Sequence, residues 1–229
     1  MEINNTISDT QERVRLHILA TAMNAFSTHG IRPVTMDIIA RSMKISKRTI
    51  YAIFEDKEAL LLEGIRVHKL RMQEHMKEFS QKNDNVLEVI LHFFECSMEE
   101  LRQTCPQFHT DIKRYPRVFE EMHKQRALDS ENTVAFLEKG VEQGIFRSDV
   151  RLDIVYTLLA EALENAMLTT MANVPPELIL STILPVWIRG ISTDKGLTIL
   201  ENFLLCHRLG EGSTSDMNVF SIAYLEDQK

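Results

Sequence analysis

The stretch TMDIIARSMKISKRTIYAIFEDKEALL, residues 35–61, decides the fold. Thr35 is a helix-capping residue type, and a run of apolar residues at helical spacing follows it to Met43. Ser46 is a second capping residue, and a second such run ends at Phe54. Two short helices joined by a tight turn predict a helix-turn-helix motif over residues 35–54.

The two short helices have different residue types on their two faces. Apolar side chains at helical spacing predict the face toward the core, and they are Ile38, Ile39, Ala40, Met43, Ile45, Ile50 and Phe54. The outward set on the second helix is Lys47, Arg48, Thr49 and Tyr51. Cations and hydroxyl groups of this kind reach phosphates and base edges, so the outward face predicts contact with DNA.

The rest of the chain is also periodic in the helical sense. A helix over residues 12–29, ended by Gly30, precedes the motif, and residues 1–10 are expected to be frayed. A long helix follows from Lys57 to Phe79, capped by Asp56. Further helices are predicted over 86–101, between Pro106 and Pro116, and over 118–143, 151–171, 176–190 and 195–208, with a turn at 190–194. An all-α fold is predicted, followed by a linker over 210–216 and an apolar segment over 217–225 of unassigned role.

Charge is distributed unevenly along the 229 residues. The net charge is −7, but residues 1–57 carry eight Lys/Arg and six Asp/Glu, a net of +2. A slightly basic head on an acidic body fits a protein that presents one end to a polyanion. Cys96, Cys105 and Cys206 are widely spaced, which suits a reducing compartment. Neither a signal peptide nor a membrane-spanning run is expected, so a cytoplasmic protein is predicted.

The motif resembles the DNA-binding domain of the TetR family of bacterial regulators. The family pattern is approximately T-x-x-x-I-A-x-x-A-G-V-S-x-G-T-L-Y-x-[YH]-F-x-[SD]-K-E-x-L, and it aligns with residues 35–60 without a gap. The segment 141–147 resembles the family's link between its seventh and eighth helices. The resemblance implies about nine or ten helices, with a DNA-binding domain over 1–56 and a dimerising, ligand-sensing domain over 57–229.

The resemblance also assigns DNA-contacting positions. By position, Thr35, Tyr51 and Lys57 are expected at phosphates, Lys47, Arg48 and Thr49 in the major groove, and Lys44 and Ser46 at the DNA edge. Three departures alter this surface: Met43-Lys44 replaces the usual Ala-Gly, Arg48 replaces a small residue, and Ile53 replaces a Tyr or His. Affinity and sequence preference therefore do not carry over from the family.

The resemblance further implies a homodimer, built from the helices over 151–171 and 195–208, and a palindromic double-stranded operator. Glu161, Glu164 and Asn165 interrupt the first of these helices, either fixing the dimer register or facing solvent. A small apolar or amphipathic effector of unknown identity is expected. Its pocket would be drawn from large side chains in the middle of the chain, and the candidates are His68, Phe94, Met98, Phe119 and Met122.

Other chemistries find little support in the sequence. No HExxH, GxSxG, GxxxxGK or GxGxxG motif occurs, and no Cys/His cluster has ligand spacing. Glu120 and His123 have the spacing of di-iron bundles, but no second pair exists. His68 and His75 share one helix face and are interpreted as core or interface histidines, with a relay of signal as the alternative. No metal, cofactor or enzyme activity is expected.

Two alternatives stay open beside the repressor controlled by a ligand. One is a DNA-bound regulator controlled by a protein partner. The other is a helical-bundle enzyme with a vestigial DNA-binding head.

Overall fold

The computed structural model describes residues 2–166 and 173–208. Over these residues the chain forms ten helices: α1 Glu2–His29, α2 Met36–Ser42, α3 Lys47–Ile53, α4 Lys57–Lys82, α5 Val86–Gln103, α6 Pro106–Ile112, α7 Pro116–Glu142, α8 Leu152–Asn165, α9 Pro176–Ile191 and α10 Asp194–Arg208. Over the same residues the β-structure is one isolated antiparallel bridge, between Phe146 and Ser192. The predicted all-α class is confirmed. Within the described part, no helix is long and apolar enough to cross a membrane.

The first helix is longer than predicted. The expectation of a frayed segment over residues 1–10 is wrong from Glu2 onward, because α1 begins there. The first 29 residues contain no Gly or Pro, so nothing in the covalent structure interrupts the helix. Gly30 ends it as predicted, at φ +83° and with its N–H donating to the carbonyl of Phe26 at 2.9 Å.

The described chain divides into two compact units. Unit 1 comprises residues 2–72 and 103–121, and unit 2 comprises residues 73–102, 122–166 and 173–208. Unit 1 therefore contains α6 as well as the predicted head. The functional boundary after residue 56 stays a prediction.

The core of unit 1 holds the helix-turn-helix motif in place. Its fully buried side chains include Ile18 and Phe26 of α1, Ile50 of α3, and Leu60 and Leu61 of α4. Residues 103–121 attach to the end of α1 by polar contacts: the Cys105 N–H donates to the Ser27 carbonyl at 2.7 Å, and the Asp111 carboxylate accepts from the Arg32 N–H at 2.8 Å. Because Asp111 is only 9% exposed, this carboxylate is a structural acceptor for the turn before α2.

Unit 2 packs around the loop between α7 and α8. Gly144 has φ +67° at the end of α7, and Ile145 and Phe146 after it are each 1% exposed. The loop is tied to the end of α9, since the Arg147 N–H donates to the Ile191 carbonyl at 2.8 Å. The predicted turn at 190–194 is shorter in the structure, because α9 continues to Ile191 and α10 begins at Asp194. Of the predicted helix over 151–171, residues 167–171 lie outside the described residues, as do 210–229.

A buried carboxylate joins α7 to α8 within unit 2. The Glu164 side chain is 8% exposed and pairs with Arg126 and with His123, whose Nε2 lies 3.3 Å from Oε1. Glu161, by contrast, is exposed. Glu164 is therefore an internal ion-pairing group, which answers for this residue the question that the sequence left open.

Candidate nucleic-acid interface

The turn between α2 and α3 is a Schellman motif. The Ile45 N–H donates to the Ala40 carbonyl at 3.0 Å, and the Lys44 N–H donates to the Arg41 carbonyl at 3.1 Å. Lys44 occupies the left-handed position of this motif, with φ 57°, and it is the one non-glycine residue with positive φ among the described residues. Because glycine is preferred there, lysine adopts this conformation at a cost in backbone strain.

Three side chains cap the helices around the motif as predicted. The Ile38 N–H donates to Thr35 Oγ1 at 3.3 Å, and the Thr49 N–H donates to Ser46 Oγ at 3.1 Å. The Ala59 N–H, in the first turn of α4, donates to Asp56 Oδ1 at 2.6 Å. Each cap satisfies an N–H that the helix itself leaves without a partner, so the three helix starts are defined by local sequence.

Four of the predicted contact residues lie on the exposed side of α3. Lys47, Arg48 and Thr49 are exposed and Tyr51 is 49% exposed, whereas Ile50 between them is fully buried. Because Ile50 packs inward, these four side chains are left at the surface of unit 1. Such a face offers two cations and two hydroxyl groups to a groove.

The ammonium group of Lys47 already has an acidic partner within the protein. Its ammonium group forms an ion pair with Asp37 in the first turn of α2. The Lys47 side chain is 64% exposed and that of Asp37 is 31% exposed, so the pair lies at the surface. A phosphate that approached Lys47 would have to displace or share with the Asp37 carboxylate.

Lys57 lies in a different environment from the other predicted contacts. Its Nζ donates to the Arg32 carbonyl at 3.3 Å and lies 5.7 Å from the centre of the Phe26 ring and 5.8 Å from that of Tyr115. Partial burial lowers the pKa of Lys57, although the nearby carboxylate of Asp111 acts in the opposite direction. The ammonium group is thus held by contacts within unit 1, and these fix its position at the start of α4.

Ile38 is the one predicted core residue of the motif that the structure corrects. Its side chain is 46% exposed, whereas Met36, Ile39 and Ala40 are buried. At 3.6 residues per turn, Ile38 lies about 200° around α2 from Met36 and Ala40, so it faces away from the side that packs. The expectation that Ile38 points inward is therefore wrong.

The residues proposed for an effector pocket are divided between the units. His68 and Phe119 belong to unit 1, and Phe94, Met98 and Met122 belong to unit 2. Phe94 and Met98 are each 8% exposed, and the Phe94 ring contacts that of Phe203 edge-on at 6.1 Å. These two act at least as core residues of unit 2, and the pocket as a whole stays a prediction.

Sequence spacing does not reveal one cluster that the structure brings together. His75 on α4 lies beside His92 and Cys96 on α5, although the sequence contains no Cys/His pattern of usual ligand spacing. The four-residue interval between His92 and Cys96 is the only local signal, because residues at this interval share a helix face. His75 joins them through tertiary packing alone.

Comparison with known proteins agrees with this architecture. Residues 18–63 match the family model described as bacterial regulatory proteins, tetR family. The HTH-type transcriptional regulator YhgD of Bacillus subtilis is 35% identical over 78 residues, which are 34% of this chain and 37% of YhgD. The aligned segment therefore spans well under half of that relative.

Solved structures share the fold over most of the chain. A TetR-family transcriptional regulator from Agrobacterium tumefaciens has a TM-score of 0.62 at 15% identity, over 79% of this chain and 98% of its own. FadR from Thermus thermophilus, a TetR-family repressor solved with lauroyl-CoA, has a TM-score of 0.50 at 22% identity, over 79% and 95%. Residues 18–63 thus match the tetR family model, and the fold over most of the chain is similar to that of solved TetR-family regulators.

Proposed function

We propose that the protein is a homodimeric repressor that binds a palindromic DNA operator through α3 and is released from it by a small apolar or amphipathic ligand. The exposed outer face of α3, anchored by the buried Ile50, is the observation that carries this proposal. Each protomer would place one α3 in a major groove. Half-sites should then lie about 34–36 Å apart or somewhat further, since successive grooves on one side of the duplex have that spacing.

The contacting side chains divide by their chemistry. Hydroxyl and ammonium groups suit phosphates, and the residues proposed for these contacts are Thr35, Lys44, Ser46, Tyr51 and Lys57. Lys47, Arg48 and Thr49 lie on the first turn of α3, where side chains reach base edges. Among these residues we expect Arg48 above all to contact a base, because a guanidinium group can donate two hydrogen bonds to guanine.

Apolar side chains on α8 and α10 support a dimer. Ile154 is 49% exposed and Leu158 is 60% exposed, and their four-residue interval places both on one face of α8. Leu205 on α10 is 55% exposed. TetR-family regulators function as dimers, so a second copy of this chain is the proposed cover for both faces. Leu158→Glu should shift the protein toward monomer in size-exclusion chromatography with light scattering, while Leu70→Glu, a matched change at an exposed leucine of unit 1, should not.

The proposed effector class rests on the large apolar side chains in the middle of the chain. The lauroyl-CoA bound by the structurally similar FadR is an amphipathic acyl ligand and supports the same class here. A ligand changes DNA affinity only if it binds the DNA-competent and released states with different affinity. Acyl-CoAs, bile-type amphiphiles and hydrophobic cations should therefore be screened both by thermal shift and by loss of operator binding.

A DNA-bound regulator controlled by a protein partner is the alternative outcome of that screen. It gains support if no compound in the three classes shifts melting or changes operator binding. TetR-family regulators are typically not enzymes, and we propose no catalytic activity for this chain. A DNA target also implies a cytoplasmic location.

Selection of bound sequences from random DNA, followed by footprinting with the full-length protein, tests the proposal. The expected result is a protected and roughly symmetric site with two half-sites at the spacing given above. A footprint without symmetry, or no enrichment of any sequence, contradicts it.

A further inference from the structure

Three side chains with metal-binding atoms converge in unit 2. His75 Nε2 lies 2.9 Å from His92 Nε2, and Cys96 Sγ lies 3.8 Å from the same His92 nitrogen. All three atoms lie within 4.8 Å of one another. His92 and Cys96 project from one face of α5, and His75 comes from the neighbouring α4.

The cluster is partly shielded from water. Cys96 is 3% exposed, the His92 side chain is 17% exposed and His75 is half-buried. The Phe79 ring stacks on the His92 ring, with centroids 3.9 Å apart and planes 16° apart. Buried polar atoms need partners, yet His92 Nε2 has a single lone pair or proton for two facing groups. A cation between the three atoms would satisfy all of them at once.

A carboxylate lies beside the central histidine. Glu95 Oε2 lies 3.5 Å from His92 Nδ1, and the Glu95 side chain is 22% exposed. A proton on Nδ1 facing this carboxylate leaves the lone pair on Nε2, the atom that faces His75 and Cys96. The carboxylate–histidine pair is a usual second layer behind histidines that bind zinc.

We infer that His75, His92 and Cys96 form a binding site for a thiophilic first-row divalent cation, of which Zn²⁺ is the best fit. Tetrahedral zinc with Zn–N near 2.0–2.1 Å and Zn–S near 2.3 Å places its ligand atoms about 3.3 Å apart for two nitrogens and about 3.6 Å apart for nitrogen and sulfur. The observed distances of 2.9 and 3.8 Å differ from these by only a few tenths of an ångström. Binding converts the Cys96 thiol to a zinc-bound thiolate, with its proton released to the buffer.

The donor set also specifies which cations do not fit. Two imidazole nitrogens and one sulfur suit zinc and its neighbours in the first transition row, whereas Mg²⁺ and Ca²⁺ require oxygen ligands. Three protein ligands leave a fourth coordination position open. The inference is independent of the proposed function, since it concerns metal binding by the protein without DNA.

Cobalt titration of the chelator-treated, full-length protein tests the site. We expect one Co²⁺ per chain, with thiolate-to-cobalt charge transfer and the visible bands of tetrahedral cobalt, all abolished when Zn²⁺ displaces Co²⁺. Cys96→Ser should remove the charge transfer and lower affinity more than about 100-fold, while Glu95→Gln should lower it about 10- to 100-fold. Cys206→Ser, a change at an exposed cysteine of the same unit, should bind as the wild type does.

The melting temperature of the wild-type protein provides a test that does not depend on whether the variants fold. Zn²⁺ at about 100 times its dissociation constant should raise the melting temperature by about 5–10 °C, and Mg²⁺ should not. The inference is overturned if wild-type protein shows neither charge transfer nor a zinc-dependent melting shift. It is equally overturned if charge transfer survives in Cys96→Ser and is lost in Cys206→Ser.

Discussion

Substitution of Lys44 by glycine should affect folding stability and DNA binding in opposite directions. Lys44 has φ 57° at the turn between α2 and α3, a conformation that costs an L-residue about 1–2 kcal/mol. Glycine removes this strain but adds about 0.5–1 kcal/mol of entropy loss on folding. The net expectation for Lys44→Gly is a gain of about 0–1.5 kcal/mol, or a rise in melting temperature of up to about 6 °C.

The same substitution removes a cation from each half of the proposed dimer. If each Lys44 neutralises one phosphate, the slope of log affinity against log salt should become shallower by about 1.8, from two contacts at about 0.9 each. Two controls separate the effects. Lys44→Ala removes the cation and keeps the strain, so it should reduce the slope without the gain in stability. Lys44→Arg keeps both and should resemble the wild type.

Chemical denaturation and salt-dependent fluorescence anisotropy with operator DNA measure the two effects. A Lys44→Gly variant less stable than Lys44→Ala would refute the strain argument. Wild-type salt slopes in both variants would refute the position of Lys44 at the DNA edge.

Three further predictions concern ion pairs and packing. Asp37→Asn should tighten operator binding about two- to fivefold, because it releases Lys47 from its surface ion pair; unchanged anisotropy would argue against competition. Gly140→Ala should destabilise the protein by about 1–3 kcal/mol, because the added methyl group overlaps the buried ring of Phe146. Gly190→Ala, whose added methyl group meets no atom within 4 Å, should stabilise the protein by about 0.5–1 kcal/mol. Urea unfolding distinguishes these, and a gain in both would contradict the packing. Arg126→Ala should cost about 2–3 kcal/mol, because it deprives a buried carboxylate of its main partner; a loss below about 1 kcal/mol would show that the pair contributes little.

Local chemistry made most of the helix-turn-helix region predictable. The caps at Thr35 and Ser46 and the stop at Gly30 each depend on residues within a few positions, and all three are found where the sequence places them. Ile38 was mispredicted because an apolar side chain was assigned to the core without regard to its angle around α2. The positive φ of Lys44 was not predicted, since lysine carries no signal for it.

Contacts between distant residues account for the rest. In the sequence, Glu164 is a polar residue within an otherwise apolar helix. Its partner Arg126 becomes evident only when α7 packs against α8. His75 and His92 are 17 residues apart, and no spacing rule joins them before the helices pack. Such pairs depend on helix crossings that the periodicity of a single sequence does not determine.

Specific DNA recognition by the exposed face of α3 is tested most directly by comparing Arg48→Ala with Lys57→Ala on selected operator and on random DNA. Arg48→Ala should lower the ratio of operator to random affinity by about 10- to 100-fold, and Lys57→Ala should weaken both equally with a shallower salt slope. Arg13→Ala, at an exposed arginine of α1, should change neither quantity. If Arg48→Ala and Lys57→Ala both bind as the wild type does, α3 is not the recognition helix and the account is wrong.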